Sequence, residues 1–259
     1  MFNYSKLALS YAQGLHIAYR QLPGNTASIV FFGGFNSNMQ GTKATALYDY
    51  CKSHNLGLIL FDYLGHGESD GQFTDYNISD WYKNCTEVIN QLNPSNKPQV
   101  IIGSSMGAWL MLLVAISCQN KVFHLISLAG APDFTESLIF QKLNMKQKDE
   151  LHKHGKIILY QNNNTYSYVI TRNLIEDGRK HLLLNQESIN INYPITLIHG
   201  MNDDTVPYRT SIALAEKIKS NNVNLHLIKS ANHSLSDDAS LKIIFKCIKE
   251  AVDQSLQVK

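Results

Sequence analysis

Short, mainly apolar runs alternate with helix-length segments along most of this chain. Such runs are typical of strands buried on both faces of a parallel sheet, and the segments between them show the spacing of helices. The runs are SIVFF (28–32), GLILFD (57–62), QVIIG (99–103), VFHLISLAG (122–130), ITLIHG (195–200) and VNLHLIK (223–229). The helical segments are 42–53, 78–92, 106–117, about 210–220 and about 236–253. The alternation predicts an α/β fold, with a mostly parallel sheet flanked by helices.

Two local signals refine this picture. KLALSYA and LHIAYRQL alternate between apolar and polar residues on either side of a Gln13-Gly14 turn. This pattern predicts a hairpin of half-buried strands, which would add antiparallel strands to one edge of the sheet. Ser79 is the predicted N-cap of the helix over 78–92, because a serine side chain accepts hydrogen bonds from a first helical turn.

The alternation stops after Asp133 and resumes only at Pro194, so the chain divides into a core and an insertion. We assign 1–132 and 194–259 to the core, and we interpret 133–193 as a lid of mostly helices over the carboxyl edge of the sheet. The alternative is a disordered linker, but apolar residues within the insertion favour a small core of its own. They are Leu138, Ile139, Leu143, Ile157, Ile158, Leu174, Ile175 and Leu182–Leu184.

Composition excludes several classes of function. The 259 residues are 44% hydrophobic, which suffices for one large core with a small attached subdomain. The formal net charge is +2 and the cations are scattered, so nucleic acid is not an expected partner. Four cysteines lie far apart without a CxxC pair, which argues against a disulfide framework or a zinc site. The composition leaves the oligomeric state open.

The apolar segments also bear on location. The first residues lack the uninterrupted apolar stretch of a secretory signal, and they already resemble a strand rather than a transit peptide. No window reaches the 18 apolar residues that a membrane span needs. We therefore expect a cytoplasmic protein without a membrane span.

Residues 103–107 read Gly-Ser-Ser-Met-Gly, which fits G-x-S-x-G with Ser105 at its centre. A nucleophile on a tight turn from strand to helix adopts a strained backbone, and small residues two positions away on each side avoid clashes. The motif follows a buried strand and begins an apolar helix, as such a turn requires. We therefore prefer a nucleophile at Ser105 to the alternative, a plain turn between strand and helix.

A serine hydroxyl needs a base, and in this architecture the order along the chain is nucleophile, acid, histidine. His233 lies in a polar loop just past the last strand, so we assign it as the base. His226 lies within that strand, where a structural role is favoured. His66 precedes Ser105 and is therefore out of order, so we interpret it as part of a loop.

The acid is expected in the loop MNDDTVP, which follows ITLIHG. The spacing HG-x-x-D-x-x-V-P favours Asp203, whose carboxylate would hold the tautomer of the base. Asp204 and Asp133 remain alternatives. We interpret His199 as a structural residue.

An oxyanion needs two N–H donors, and we expect them from the backbone of Phe35 and Met106. Gly33 and Gly34 precede Phe35 and permit a close approach of the backbone. A glycine turn without a catalytic role is the alternative.

Taken together, GGFNSN, FDYLGHGESDG, GSSMG, HGMNDDTVP and His233 resemble the α/β-hydrolase superfamily from about residue 15 to the end. FNSNMQGTKA, APDFTE and ITRNLIEDGRKHLLL are similar to one branch, which includes a mitochondrial palmitoyl-protein thioesterase with acyl-glucuronide esterase activity and its bacterial relatives. The resemblance implies an ester or thioester substrate that is hydrolysed through Ser105, Asp203 and His233, with no metal or cofactor. Arg172, Arg179 and Lys180 in the insertion are interpreted as solvated rather than as carboxylate ligands.

Two other functions stay open from the sequence. A serine peptidase of the prolyl-iminopeptidase type shares this fold and needs an acidic cluster for a free amino terminus, for which Asp149-Glu150 and Glu176-Asp177 are weak candidates. A non-catalytic ligand-binding protein on the same fold is the second alternative.

Overall fold

The computed structural model describes residues 3–24, 28–93, 99–161 and 166–257. Its ten strands are β1 (Ser5–Ala8), β2 (His16–Leu22), β3 (Ser28–Phe32), β4 (Gly57–Phe61), β5 (Gln99–Ser104), β6 (Val122–Leu128), β7 (Lys156–Gln161), β8 (Tyr166–Thr171), β9 (Ile195–Gly200) and β10 (Val223–Ile228) among the described residues. Eight of these strands form one sheet in the order β1-β2-β4-β3-β5-β6-β9-β10. β2 pairs antiparallel with β1 and β4, and the other neighbours are parallel. The predicted hairpin and the mostly parallel sheet are both confirmed.

Successive side chains of a strand point to opposite faces, and the central strands are buried on both. Helices therefore cover both faces of this sheet. The α-helices are α1 (Thr42–Ser53), α2 (Ile78–Gln91), α3 (Met106–Ser117), α4 (Met145–His154), α5 (Arg172–Gly178), α6 (Arg209–Lys217) and α7 (Asp238–Gln257) in the described part of the chain. Val30 and Phe32 of β3 belong to the same apolar cluster as α2 and α3, whereas Ile29 and Phe31 join the cluster of α1 and α7. Within the described residues, no helix combines the length and the apolar composition needed to cross a membrane.

The start of α2 differs from the prediction. Asn77, not Ser79, is the N-cap: its side chain accepts from the Asp80 N–H, and the Asp80 side chain accepts from the Asn77 N–H. This reciprocal pair satisfies two N–H groups that a first turn leaves free. Ser79 instead donates from its N–H and its hydroxyl to the carboxylate of Asp177, at 2.7 and 2.8 Å. The serine therefore ties α2 to the segment that was interpreted as an insertion.

Helices predominate in that segment, but it also contains an antiparallel hairpin that the sequence did not predict. Its helical parts are a π-helical turn, two 3-10 turns and the helices α4 and α5, and the hairpin consists of β7 and β8. Ile157 and Ile170 pair across the hairpin and are buried, whereas Ile158 is 53% exposed. Residues 162–165, like 1–2, 25–27, 94–98 and 258–259 of the assigned core, lie outside the described residues. The hairpin forms here because KIILYQ and YSYVIT are rich in β-branched and aromatic residues, which favour strands.

Candidate active site

Ser105 occupies a strained turn between β5 and α3. Its φ of 54° and ψ of −117° lie in a region that residues with a side chain rarely adopt. The two neighbouring glycines make room for this turn. A Cβ at Gly103 would lie 2.5 Å from the Cα of Ala108, and one at Gly107 would lie 2.1 Å from the carbonyl oxygen of Phe32. The backbone therefore requires glycine at both positions of the G-x-S-x-G motif.

The structure brings Ser105 together with the two residues that the sequence pairs with it. His233 lies in the loop after β10, and its Nε2 is 3.1 Å from the Oγ of Ser105. Its Nδ1 is 2.7 Å from Oδ2 of Asp203, in the loop after β9. A carboxylate only accepts hydrogen bonds, so Nδ1 carries the proton and Nε2 is free to accept from the Ser105 hydroxyl. Two hydrogen bonds thus connect the carboxylate to the serine.

The carboxylate of Asp203 is fully buried and fully hydrogen-bonded. Its Oδ1 accepts from the N–H groups of Thr205 and Val206, at 2.9 and 2.7 Å. Burial by itself would raise the pKa of Asp203, but hydrogen bonds from His199, His233 and Val206 outweigh it and hold that pKa well below its usual range. Asp203 is therefore ionised and held in one orientation.

His199 belongs to this arrangement although the sequence suggested only a structural role. Its ring is fully buried, and its Nε2 lies 3.1 Å from Oδ2 of Asp203 and 3.0 Å from the carbonyl oxygen of Val206. Both partners are acceptors, so Nε2 carries the proton and Nδ1 accepts from the Ser211 hydroxyl at 2.7 Å. The sequence shows that His199 lies four residues before Asp203. This spacing does not show that the ring of His199 contacts the carboxylate.

Two backbone N–H groups near the turn have no hydrogen-bond acceptor among the described residues. The Met106 N–H begins α3, and neither it nor the Phe35 N–H donates to any of the described residues. The chain before Phe35 lies close to the nucleophile, because a Cβ at Gly34 would be 3.5 Å from the Cβ of Ser105. This arrangement fits the oxyanion site that the sequence predicts.

His66 supports the loop that carries Phe35. Its Nε2 accepts from the N–H of Asn36, a residue with a left-handed φ of 53°, at 3.2 Å. Its Nδ1 then donates to the carbonyl of Leu64 at 3.3 Å. Burial lowers the pKa of His66 to about 4, so the ring is neutral and can accept. The prediction that His66 belongs to loop structure therefore agrees with its contacts.

The Phe35 side chain is the centre of an aromatic cluster. Four rings lie with their centroids between 4.9 and 5.9 Å from its own. These rings are Phe73, Trp81, Phe134 and Tyr168. Because Phe134 and Tyr168 come from the insertion, the cluster joins the insertion to the loop beside Ser105.

Two cavities, each of about 590 Å³, reach Ser105 and His233. They differ in the chemistry of their walls. Most residues that line the first cavity, which we call the polar cavity, are polar, and they include Ser37, Asn38, Lys43, Asn202, Asn232 and Ser234. The second cavity, which we call the apolar cavity, has an apolar wall that includes Phe35, Met106, Phe134, Leu138 and Ile139, and it also has polar residues such as Asn36, Lys142 and Thr205. A substrate with one apolar and one polar part can therefore place the bond between them at Ser105.

The alternative acids and the alternative base form no hydrogen bond with Ser105 or His233. Asp133 accepts from the N–H groups of Leu183 and Leu184, both at 2.8 Å, and so fastens the end of the insertion. Asp204 is exposed and makes no hydrogen bond to His233. His226 is exposed on β10. Among the described residues, no group of three or more His, Cys, Asp or Glu is arranged to hold a metal ion.

Comparison with known proteins agrees with this architecture. The family described as "Serine aminopeptidase, S33" matches residues 24–240. The Homo sapiens protein named "Palmitoyl-protein thioesterase ABHD10, mitochondrial" is 35% identical over 243 residues, which cover 92% of this chain and 77% of that protein. The solved structure of alpha/beta hydrolase domain-containing protein 10 from mouse is 32% identical, has a TM-score of 0.87, and the match covers 98% of this chain and 99% of that one. A solved structure from Agrobacterium vitis S4 is 28% identical, with a TM-score of 0.90 and coverage of 96% and 98%.

These relatives contradict the prediction of a cytoplasmic protein. The Homo sapiens and Bos taurus proteins are both named as mitochondrial. The prediction rested on the absence of an uninterrupted apolar stretch and on an initial strand pattern. An apolar stretch marks secretory signals, whereas transit peptides are amphipathic and rich in arginine and serine. The observed pattern therefore carries no information against a mitochondrial location.

Proposed function

Because this chain belongs to the serine aminopeptidase S33 family of α/β-hydrolases, we propose that it hydrolyses carboxylic esters or thioesters through an acyl-enzyme on Ser105. The observation that carries the proposal is the unbroken pair of hydrogen bonds from Asp203 through His233 to Ser105. In this proposal the Nε2 of His233 accepts the Ser105 proton while Oγ attacks the carbonyl carbon. Asp203 stabilises the imidazolium that forms.

The same groups complete both stages of the reaction. The N–H groups of Phe35 and Met106 are assigned to the negative oxygen of the tetrahedral intermediate, since neither donates to a protein acceptor among the described residues. His233 protonates a departing alkoxide, whereas a thiolate can leave unprotonated and His233 then returns its proton to the solvent. It then accepts a proton from the water that releases the acid. No step of this mechanism needs a metal or a cofactor.

The apolar cavity is the proposed site of the acyl chain. Its walls come from the oxyanion loop and from the insertion, with Phe134, Leu138 and Ile139 contributed by the latter. We therefore propose that residues 133–193 act as a lid that shapes acyl specificity. The volume of about 590 Å³ suits a medium or long acyl chain. The name of the Homo sapiens relative, a palmitoyl-protein thioesterase, supports a long-chain thioester.

An aminopeptidase is the second candidate, because the family description names that activity. Such an enzyme needs acidic side chains near the nucleophile to bind a free amino terminus. Asp149, Glu150 and Glu176 are exposed and do not line the two cavities beside Ser105. Asp177 is buried and bound to Ser79. Asp204 does line both cavities, but Lys43 lines one and Lys142 the other, so the charges do not form the acidic cluster that an ammonium group needs and favour an ester or thioester substrate.

One experiment separates the candidates. The purified protein is assayed with a series of p-nitrophenyl esters, from acetate to palmitate, and with p-nitroanilides of free amino acids. We expect ester hydrolysis that depends on Ser105 and no hydrolysis of the anilides. Preferential hydrolysis of the anilides would support the aminopeptidase. If both series stay intact and a fluorophosphonate probe forms no adduct with Ser105, the chain is a binding protein on a hydrolase fold.

A further inference from the structure

The polar cavity holds a cation close to the nucleophile. Lys43, in the first turn of α1, lines this cavity together with Ser105 and His233. Its Nζ donates to the carbonyl oxygen of Ser234, the residue after His233, at 2.5 Å. The ammonium group therefore lies in the cavity that has no wall from the insertion. If the acyl chain occupies the other cavity, as proposed above, the part of a substrate that leaves is placed here.

Lys43 differs from the cations of the insertion in its partners. Arg179 pairs with Glu136 at 2.7 Å, and Lys180 pairs with Asp177 at 3.1 Å. Lys43, by contrast, forms no ion pair with a carboxylate among the described residues. A partly buried ammonium that has only a carbonyl oxygen as its hydrogen-bond partner is incompletely compensated.

The charge of Lys43 reflects this environment. Burial lowers its pKa to about 8, and the more distant charge of Asp203 acts in the opposite direction. The group is therefore still mainly cationic at neutral pH, although it has lost much of its hydration. An anion that enters the cavity would replace the lost water and stabilise the charge.

We propose that the polar cavity binds the leaving group, and that Lys43 selects leaving groups that carry a carboxylate or a phosphate near the scissile bond. The inference rests on the proposed function, because the leaving-group side is defined by attack at Ser105. Neutral side chains of Asn38 and Asn232 line the same cavity, and their amide groups can donate hydrogen bonds to such a group. The acidic residue that lines this cavity is Asp204. It is exposed, so water and salt screen its charge.

A purely structural role makes a different prediction. If Lys43 only holds the Ser234 carbonyl, and with it the loop of His233, its removal lowers turnover of all substrates by the same factor. If Lys43 binds the leaving group, its removal lowers kcat/KM selectively for anionic substrates. The ratio of two kcat/KM values therefore separates the roles, whatever happens to the absolute rate.

The test uses substrates with one acyl chain and matched leaving groups. S-octanoyl 3-mercaptopropionate carries a carboxylate, and S-octanoyl 3-mercaptopropionamide is its neutral counterpart. S-octanoyl 2-mercaptoethyl phosphate and S-octanoyl 2-mercaptoethanol provide the same comparison for a phosphate. The released thiol is measured for the wild type and for Lys43→Met, Lys43→Gln and Lys43→Arg. Lys52→Met, at the exposed end of the same helix, is the matched control.

We expect the wild type to prefer the anionic member of at least one pair by about five- to tenfold in kcat/KM, as for a partly buried ion pair. Lys43→Met and Lys43→Gln should abolish the preference, whereas Lys43→Arg and Lys52→Met should keep it. The pair that shows the preference identifies the anion as a carboxylate or a phosphate. Added NaCl should weaken the preference in the wild type itself, which is a measurement that does not depend on any variant folding.

Equal kcat/KM values for both members of both pairs in the wild type would overturn the inference while leaving the proposed function intact. The same holds if Lys43→Met lowers both members of a pair equally. If the wild type hydrolyses none of the four thioesters and forms no fluorophosphonate adduct, the proposed function fails and the inference fails with it.

Discussion

The Nε2 atom of His199 lies 3.1 Å from Oδ2 of Asp203, the same oxygen that accepts the hydrogen bond from His233 at 2.7 Å. Two imidazoles therefore share one carboxylate oxygen, one of them exposed to the cavities and one fully buried. The buried ring is held in turn by Ser211. We infer that His199 positions Asp203, and that it acts on the reaction only through this carboxylate.

Replacing His199 should therefore slow turnover without weakening substrate binding. We expect His199→Leu to lower kcat about tenfold at nearly constant KM, because a buried carboxylate loses one charge-assisted hydrogen bond. Loss of this donor also raises the pKa of Asp203, because the hydrogen bond from His199 stabilises its ionised form. His199→Gln keeps an N–H donor and should restore part of kcat. A higher KM at unchanged kcat in His199→Leu would contradict a positioning role.

The buried His66 predicts a pH dependence of stability. Its folded-state pKa is lowered to about 4 by burial, below the ordinary histidine value. Between the two values the unfolded chain binds a proton that the folded chain does not, so stability falls as the pH drops from about 6.5 to about 4. His66→Gln keeps an acceptor for the Asn36 N–H and removes the titration.

We therefore expect the free energy of unfolding of His66→Gln to fall less steeply than that of the wild type over this pH range. Urea denaturation at several pH values measures the difference. His124, whose pKa burial also lowers to about 4, is present in both proteins, so its contribution cancels. Parallel pH profiles would show that His66 is not buried in its neutral form. His66→Leu removes the acceptor as well and should lower kcat, because the oxyanion loop loses its support.

The contact between Ser79 and Asp177 should stabilise the insertion. Burial would raise the pKa of Asp177, but hydrogen bonds from Ser79 and Lys180 and the nearby His181 lower it overall. We expect Asp177→Asn to reduce the free energy of unfolding at pH 7 by about 2 kcal/mol, as for a buried charged hydrogen bond. A carboxylate with a lowered folded-state pKa stabilises above its unfolded value and loses this contribution as the pH falls through the folded value.

The difference between the wild type and Asp177→Asn should accordingly shrink below about pH 4, the ordinary carboxylate range. Thermal or urea unfolding at pH 7 and pH 3 measures it. Asp149→Asn, on the exposed face of α4, is the control and should change stability by less than about 0.5 kcal/mol. A difference that is as large at pH 3 as at pH 7 would assign the effect to packing instead of charge.

The apolar cavity should set acyl-chain preference. Ile139 is 6% exposed and lines this cavity, so the larger side chain of Ile139→Trp should shorten it. We expect kcat/KM for p-nitrophenyl palmitate to fall at least about tenfold relative to the acetate, since a long chain would clash. Ile158→Trp, on the exposed face of the hairpin, is the matched control. An unchanged chain-length profile in a folded Ile139→Trp would mean that the acyl chain lies elsewhere.

The sheet follows from the sequence because its signals are local. SIVFF forms β3 over its predicted length, and the helix over 42–53 is α1. The N-cap of α2 was mispredicted because Asn77 and Ser79 are both good capping residues, and only the reciprocal bond with Asp80 distinguishes them. The hairpin of the insertion was missed because KIILYQ and YSYVIT have β-branched and aromatic residues but no two-residue alternation, and polar residues surround them.

The candidate site was likewise predictable from the sequence only in part. The glycines around Ser105 and the loop positions of Asp203 and His233 are visible in the sequence, because each ends or follows a strand. The partners of His199 and Lys43 are not visible. Lys43 and Ser234 are 191 positions apart, and only the folded sheet with its two layers of helices brings them together. Such contacts depend on the tertiary fold and have no local pattern.

The central claim is that Ser105 carries the acyl group during turnover. The direct measurement is mass spectrometry of protein mixed with p-nitrophenyl octanoate and quenched with acid within milliseconds. We predict a mass increase of one octanoyl group on the peptide that contains Ser105. The adduct should be absent from Ser105→Ala, whose turnover should fall by about 10⁴-fold or more while its melting temperature stays near that of the wild type. An octanoyl group on another residue, or near-normal turnover by folded Ser105→Ala, would contradict the account.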